Sequence, residues 1–376
     1  MKNPPKAPPS LEELAVCIER TGFVLEYKVA TLLKAAGWTV ISNKYYVDDQ
    51  EEKVREIDLI AYKVTKVQGF NAYTCLIVSC KKSESDYWAF LSRRASLLDP
   101  NFEWQPLHTW TNVFALKHQF SGVDIGKKYH DDITSLGVQN VLRQPEYEIF
   151  AFQEMSRNNG APRNDGNIFS SVTSLIKAQA YELGALPERK KSSCVYQFNL
   201  LSVVDADMVK LSFIEDNIEA SPIESVEYFS RYIVKGHESF ARIRFCKAGA
   251  FKSALADYDR LHTANVSWFG QQCNRFYDDI LCDSKRWSLL SNEFEKEYET
   301  RIRRTFRRPF HVSINADEIN FSYEKKSNHV EIYLLLEEAN IKFLNEDEDA
   351  RDAISHALKI TYRFTGTFSV MNDIPF

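Results

Sequence analysis

Four side chains of this chain have types and spacings that could do chemistry. On a helical wheel, Leu32, Leu25, Ala36, Val29, Leu33, Ala30 and Phe23 fill one continuous apolar arc, and Glu26 falls inside it. A carboxylate on an inward face is costly unless a partner pairs with it or a ligand needs it there. Asp58 has the same oddity within Ile57-Asp58-Leu59-Ile60, an apolar strand pattern in which aspartate is disfavoured. In Leu76-Ile77-Val78-Ser79-Cys80-Lys81-Lys82, Ser79 and Lys81 stand two apart and share one strand face at its polar end. Phosphodiester cleavage uses such a set. A hard divalent cation takes oxygen ligands, and Mg²⁺ typically takes one or two carboxylates and keeps several waters. The cation polarises phosphate and acidifies a bound water, and an ammonium stabilises the charge that develops. The plainer alternative is a structural ion cluster, with Glu26 salt-bridged to Lys or Arg and Lys81 reaching solvent from a strand end.

The elements that must position these residues read as follows. A helical pattern runs from Leu11 to Ala36, with Ser10 as N-cap, a split at Gly22 and a stop at Gly37. Strands are expected at 38–41, 57–62 and 73–80, the last apolar on both faces and therefore central. A helix is expected from Tyr87 to Leu98, ended by Asp99-Pro100. Loop-like sequence follows around 122–132, then a strand at 147–152 and a helix through Ile168, Val172, Leu175, Ile176 and Ala180 capped by Asp165 or Asn167. Two strands, 195–204 and 208–214, are expected to pair across Asp205-Ala206-Asp207, with further strands at 232–234 and 240–245. Residues 248–261 and 266–305 read as long aromatic-rich helices. Strands are expected at 311–314 and 330–336, and an acid-capped helix at 347–361.

Composition bounds the function class. The 376 residues are 44% hydrophobic and 26% charged, an ordinary globular mix that excludes disordered and low-complexity classes. No apolar run approaches the ~18 residues of a membrane span, and residues 1–10 lack the apolar core of a signal peptide and read as a flexible arm. Seven scattered cysteines without C-x-x-C spacing fit a reducing cytoplasm and give no zinc signal. The net charge of −5 is concentrated in residues 316–376, which hold 12 acids and 6 bases and leave 40 and 41 for the rest. The main body's overall charge therefore argues neither for nor against a polyanion partner.

The stretch Gly22-Phe23-Val24-Leu25-Glu26-Tyr27-Lys28-Val29-Ala30, then Ala36-Gly37-Trp38-Thr39-Val40, Arg55-Glu56-Ile57-Asp58-Leu59-Ile60-Ala61 and Ile77-Val78-Ser79-Cys80-Lys81-Lys82 resembles the PD-(D/E)XK nuclease superfamily, most closely its Mrr-like restriction endonuclease branch. The resemblance is densest over 22–82 and rests on a short, degenerate motif. It implies an α/β fold with a restriction-endonuclease-like α-β-β-β-α-β core and metal-dependent hydrolysis of nucleic acid, DNA first, in a bacterial restriction or anti-phage setting. It implies Mg²⁺ or Mn²⁺ held by Asp58 and the Cys80 carbonyl, with Glu26 contributing directly or through water, and Lys81 acting on the nucleophile or transition state. The sequence departs from the family at Ser79, where an acid or Gln stands, and a hydroxyl is a poorer Mg²⁺ ligand than a carboxylate. A degenerate fold that binds nucleic acid or protein without cutting is the alternative.

Lys82, Arg93 and Arg94 are the candidate phosphate contacts near this site, weighed against simple solvated charges. Arg301, Arg303, Arg304, Arg307 and Arg308, interleaved with Phe306 and Phe310, form a denser basic cluster. It follows the acidic run 293–299, so an internally charge-paired helix competes with a nucleic-acid patch. Gly122–Lys128 is one residue short of a P-loop, lacks its Ser/Thr and follows no strand, and is rejected. Glu346–Asp349 reads as a helix N-terminus. The expected division is a nuclease domain at 11–246, a helical region at 247–309 and a small acidic α+β segment at 310–376. No membrane contact is expected; a homodimer or an activating partner is compatible with cutting two strands.

Overall fold

In a computed structural model, residues 9–48, 52–99, 102–305 and 312–373 are described. Ser10 opens the first helix, α1 (Leu11–Ile18), with a reciprocal cap: its hydroxyl accepts from the Glu13 amide at 3.1 Å, and Glu13 accepts from the Ser10 amide at 2.8 Å. The chain breaks at 19–21 and resumes as α2 (Gly22–Ala35), which ends on Gly37 at φ +80°, a conformation favouring glycine. Both the split at Gly22 and the stop at Gly37 agree with the sequence reading. Leu25, Val29, Ala30 and Leu33 face inward, but Phe23 is 66% exposed, so the apolar arc is narrower than the wheel suggests.

Three antiparallel strands follow: β1 (Thr39–Asp48), β2 (Lys53–Val67) and β3 (Phe70–Arg94). All three outrun their sequence estimates, β3 most of all. Instead of turning into a helix at Tyr87, β3 stays extended to Arg94. Trp88, Ala89 and Phe90 are fully buried there, Trp88 and Phe90 in the cluster beneath α6, and the strand is paired on both edges. Next come β4 (Thr109–Thr111), α3 (Phe114–Phe120), α4 (Ile125–Ser135), α5 (Gln139–Leu142), β5 (Tyr147–Ser156) and α6 (Gly166–Arg189). The stretch read as a loop around 122–132 is largely α4, whose Tyr129 and Ile133 lie one turn apart on a buried face.

β6 (Cys194–Ile214) is one continuous strand, not two strands paired across Asp205–Asp207. It runs parallel to β3 along almost its whole length. The register is interrupted only where residues 83–86 of β3 bulge opposite Ala206, between the pairs Lys82–Asp205 and Tyr87–Asp207. β7 (Asn217–Ile223), β8 (Ser225–Val234) and β9 (His237–Lys247) complete a mixed nine-stranded sheet of order β1-β2-β3-β6-β9-β8; β5 pairs with β3, and β4 and β7 pair with β6. α6 lays Ile168, Val172, Leu175 and Ile176 on this sheet in a cluster with Cys75, Ile77, Trp88, Phe90 and Leu200. The architecture is thus mixed α/β, a central sheet with flanking helices.

The chain divides into two compact units at Gly270/Gln271. That point lies inside α7 (Phe251–Tyr277), which buries Phe251, Leu255, Tyr258 and Leu261 in the first unit. The second unit contains α8 (Ser284–Trp287), α9 (Ser291–Thr305), β10 (Asn320–Glu324), β11 (His329–Leu334), α10 (Glu338–Glu346), α11 (Glu348–Tyr362) and β12 (Thr367–Asn372). β10 and β11 pair antiparallel, and β11 and β12 parallel. Of the strand expected at 311–314, residue 311 lies outside the described residues; 312–314 are not strand, although Val312 and Ile314 are buried. Asp347 caps α11 by accepting from the amides of Asp349 and Ala350, so the acidic run 346–349 marks a helix start as its composition suggests.

Candidate functional site

The β2–β3 ladder closes with the pair Leu59–Val78, and the next residues form the site. Past that pair the Cys80 amide, whose edge faces β2, donates instead to Asp58 Oδ2 at 2.7 Å. The amide and carbonyl of one strand residue leave the same edge, so the Cys80 carbonyl is on Asp58's side. Asp58 is half-buried, and no ion pair holds it among the described residues. Ser79 is 3% exposed, and its hydroxyl has no hydrogen-bond partner among the described residues. It lines a small cavity with Glu56, Asp58 and Ser174. Lys81, half-buried one step along the same face, likewise forms no ion pair among the described residues.

Glu26 comes from the first turns of α2. A side chain placed on Gly22 would stand 4.0 Å from Glu26 Oε1, so the carboxylate leans back over the preceding turn, the usual direction of a helical side chain. Burial raises the Glu26 pKa above the ordinary carboxylate range; the nearby charges of Asp58 and Glu56 raise it further, and Lys81 opposes them. Burial, with the same two acids Asp58 and Glu26, pushes the Cys80 thiol well up, so this cysteine is an inert core thiol. Glu26, Asp58, Cys80 and Lys81 are therefore close enough to feel one another. The salt-bridged Glu26 of the structural alternative is not found among the described residues.

Glu56 is the member of this neighbourhood that the sequence reading passed over. The signal was available: it stands two residues before Asp58 and so shares its strand face. It is exposed, and its Oε1 accepts from Asn43 Nδ2 at 2.6 Å.

The expected phosphate contacts fare unevenly. Lys82 adjoins the site but is engaged, donating to the Glu19 carbonyl at 2.9 Å and pairing with Glu84 at 3.0 Å and Asp205 at 3.8 Å. Arg93 and Arg94 do not adjoin it. Because β3 is a strand here rather than a helix, the distance follows β6. Lys81 pairs with Val204 and Ser92 with Ser212, which puts them about 26 Å away at ~3.3 Å per residue. Arg93 is bound to Glu148 at 3.0 Å. In the second unit, Arg303 pairs with Glu299 one turn before it and Arg301 with Asp352, the charge-paired arrangement; Phe306, Arg307, Arg308 and Phe310 lie outside the described residues.

Among the described residues, no three His, Cys, Asp or Glu side chains converge as a ready-made metal cage. The donor set still suits Mg²⁺, which needs only one or two carboxylates and keeps its waters. Asp58 and Glu26 repel one another, and the Ser79 hydroxyl is buried without a partner, so a hydrated cation would relieve both. No family model, curated protein or solved structure matches the chain.

Proposed function

We propose that the chain is a divalent-metal-dependent nuclease of the PD-(D/E)XK kind that hydrolyses phosphodiester bonds, DNA first. The observation that carries this reading is the opened β2–β3 edge. There Asp58 is held by the Cys80 amide while Lys81, on the adjoining strand, keeps its ammonium unpaired among the described residues. The order α2-β1-β2-β3-α6-β6, with β6 parallel to β3, also suits a restriction-endonuclease-like core, residues 95–165 being an insertion within it. Asp58 and the Cys80 carbonyl would hold Mg²⁺ or Mn²⁺, with Glu26 alongside. Bound there, the cation supplies Lewis acidity and an acidified water. The Cys80 amide fixes the Asp58 carboxylate, and Lys81 stabilises negative charge gathering on the phosphate. A bacterial restriction or anti-phage setting and a cytoplasmic location follow from the family analogy and the seven free thiols. A dimer or an activating partner would serve double-strand cleavage.

The second reading, a degenerate fold that binds nucleic acid or protein without cutting, is favoured by the hydroxyl at Ser79 where the family carries an acid. The test incubates plasmid, linear duplex, single-stranded DNA and RNA with Mg²⁺ or Mn²⁺, comparing wild type with Asp58→Asn and Lys81→Ala. Metal-dependent cutting that falls at least a hundredfold in both variants, with melting temperatures unchanged, is the expected result. Cutting that survives in both variants, or no cutting but nucleic-acid binding, sinks the nuclease reading.

A further inference from the structure

We infer that α1 of one chain lies, apolar stripe down, across the exposed face of α2 of a second chain and that the exchange is reciprocal, closing a two-fold dimer. The inference does not depend on the nuclease reading. In α1, Leu11, Leu14, Ala15 and Ile18 fall within one arc of about 100°, the stripe by which a helix packs. Yet no residue of α1 is buried: Leu11 is 85% exposed, and Leu14 and Ile18 are each 50% exposed. Helices this short are marginal in water and take their stability from packing such a face. The Lys82 ammonium donates to the Glu19 carbonyl at 2.9 Å, a contact at the end of α1 and outside the stripe.

A second bare face stands on α2. Its inward side is made by Leu25, Val29, Ala30 and Leu33, whereas Phe23 and Tyr27, one turn apart on the outer side, are 66% and 73% exposed. The two faces match each other in charge. α1 and the residues that end it carry Glu12, Glu13 and Glu19 against Arg20 alone. The outer side of α2 carries Lys28 and Lys34, neither in an ion pair among the described residues, and the one acid of α2, Glu26, is half-buried near Asp58. An apolar stripe with an acidic rim thus meets an apolar stripe with a basic rim. Within its own chain α1 leaves α2 bare, so the fit is made between copies. Two chains related by a two-fold axis cover both α1 stripes and both α2 faces and leave none over. Leu11, Leu14, Ile18, Phe23 and Tyr27 present on the order of 600 Å² of apolar surface per chain, most of the ~800 Å² that each partner brings to a stable interface.

The experiment is sedimentation equilibrium of the full chain beside Leu14→Glu, Tyr27→Glu and Val123→Glu, the last at a 99% exposed side chain outside both helices. All three positions are exposed, so the variants keep the wild-type melting temperature. Wild type is expected to dimerise at micromolar concentration. Leu14→Glu and Tyr27→Glu should each weaken association at least tenfold, with Val123→Glu within twofold of wild type. Mixing the two weakened variants adds a sharper reading. The mixed dimer regains one intact contact, α1 of the Tyr27→Glu chain on α2 of the Leu14→Glu chain, and should associate more tightly than either variant alone. Wild type still monomeric at about 100 µM overturns the inference, and a monomer held on anionic lipid vesicles would assign the stripe to a lipid surface instead. A dimer that survives both variants also overturns it, as does one broken by Leu14→Glu alone or one that mixing does not restore.

Discussion

Ser79 is the residue on which the site turns, because it is buried in the middle of β3 with a hydroxyl that has no hydrogen-bond partner among the described residues. An unpaired buried hydroxyl costs about 1–3 kcal/mol, so Ser79→Ala is expected to stabilise the metal-free protein by about 1 kcal/mol in urea unfolding. The same change should give no gain when saturating Mn²⁺ is present, since the hydroxyl then has a partner to lose. A loss of stability without metal would mean that Ser79 is already bonded within the fold. Asp58 carries two jobs at once. It accepts the Cys80 amide, so Asp58→Ala leaves a buried N–H unpaired and lowers stability whether or not the residue binds metal. Asp58→Asn keeps an acceptor there, and for that reason it separates function from folding.

At the scale of elements, α4 shows how a helix taken for a loop changes the chemistry of its residues. His130 lies on its buried face, 2% exposed, beside the edge of the Trp104 ring. Burial, and after it the Arg242 guanidinium, lower its pKa to about 4, with the carbonyls of Pro106 and Leu142 offsetting part of the shift. The folded state therefore keeps it neutral at pH values where the unfolded chain, titrating near 6.5, is already protonated. Stability is fully present above about pH 6.5 and falls as the pH drops toward 4. Its share of that loss is expected to be about 1 kcal/mol by pH 5.5. His130→Gln should flatten the pH dependence of urea stability between pH 7.5 and 5.5 by that amount, whatever the variant's absolute stability; an unchanged slope would show that His130 is protonated in the fold.

For the molecule as a whole, the division at Gly270/Gln271 falls within α7, not at the compositional change after 246. The first half of α7 completes the first unit. Phe251, Leu255, Tyr258 and Leu261 are buried there, Asn265 donates to the Thr74 hydroxyl at 2.9 Å, and Arg244 of β9 pairs with Asp257 at 3.2 Å. Full burial of one such apolar side chain contributes roughly 1.5–3 kcal/mol, so four together rival the 5–15 kcal/mol net stability of a typical domain. A chain ending at 246 is accordingly expected not to fold, whereas one ending at 277 should show cooperative thermal unfolding and keep Mn²⁺ binding. A well-folded 1–246 fragment would place the core boundary where composition alone puts it.

The sequence by itself determined the features that depend on near neighbours. These are the Ser10–Glu13 cap, the break before Gly22, the stop at Gly37, an acid beside the buried face of α2, an acid within an apolar strand, and a lysine two residues past Ser79. Each is written in a period or a cap spanning a few residues, and such signals survive folding because they belong to one turn or one strand. The tertiary structure decided what those residues meet. Whether 87–94 is helix or strand depended on β5 and β6, whose paired residues lie 53 to 120 positions away and whose ladders take up its backbone groups on both edges. That pairing carries Arg93 and Arg94 away from Lys81, and beyond Leu59–Val78, where the β2–β3 ladder ends, the Cys80 amide meets Asp58. Local pattern records which side of an element is apolar; which edges are paired, and where a ladder opens, is settled by backbone hydrogen bonds between segments distant in sequence, and the candidate site lies at such an opening.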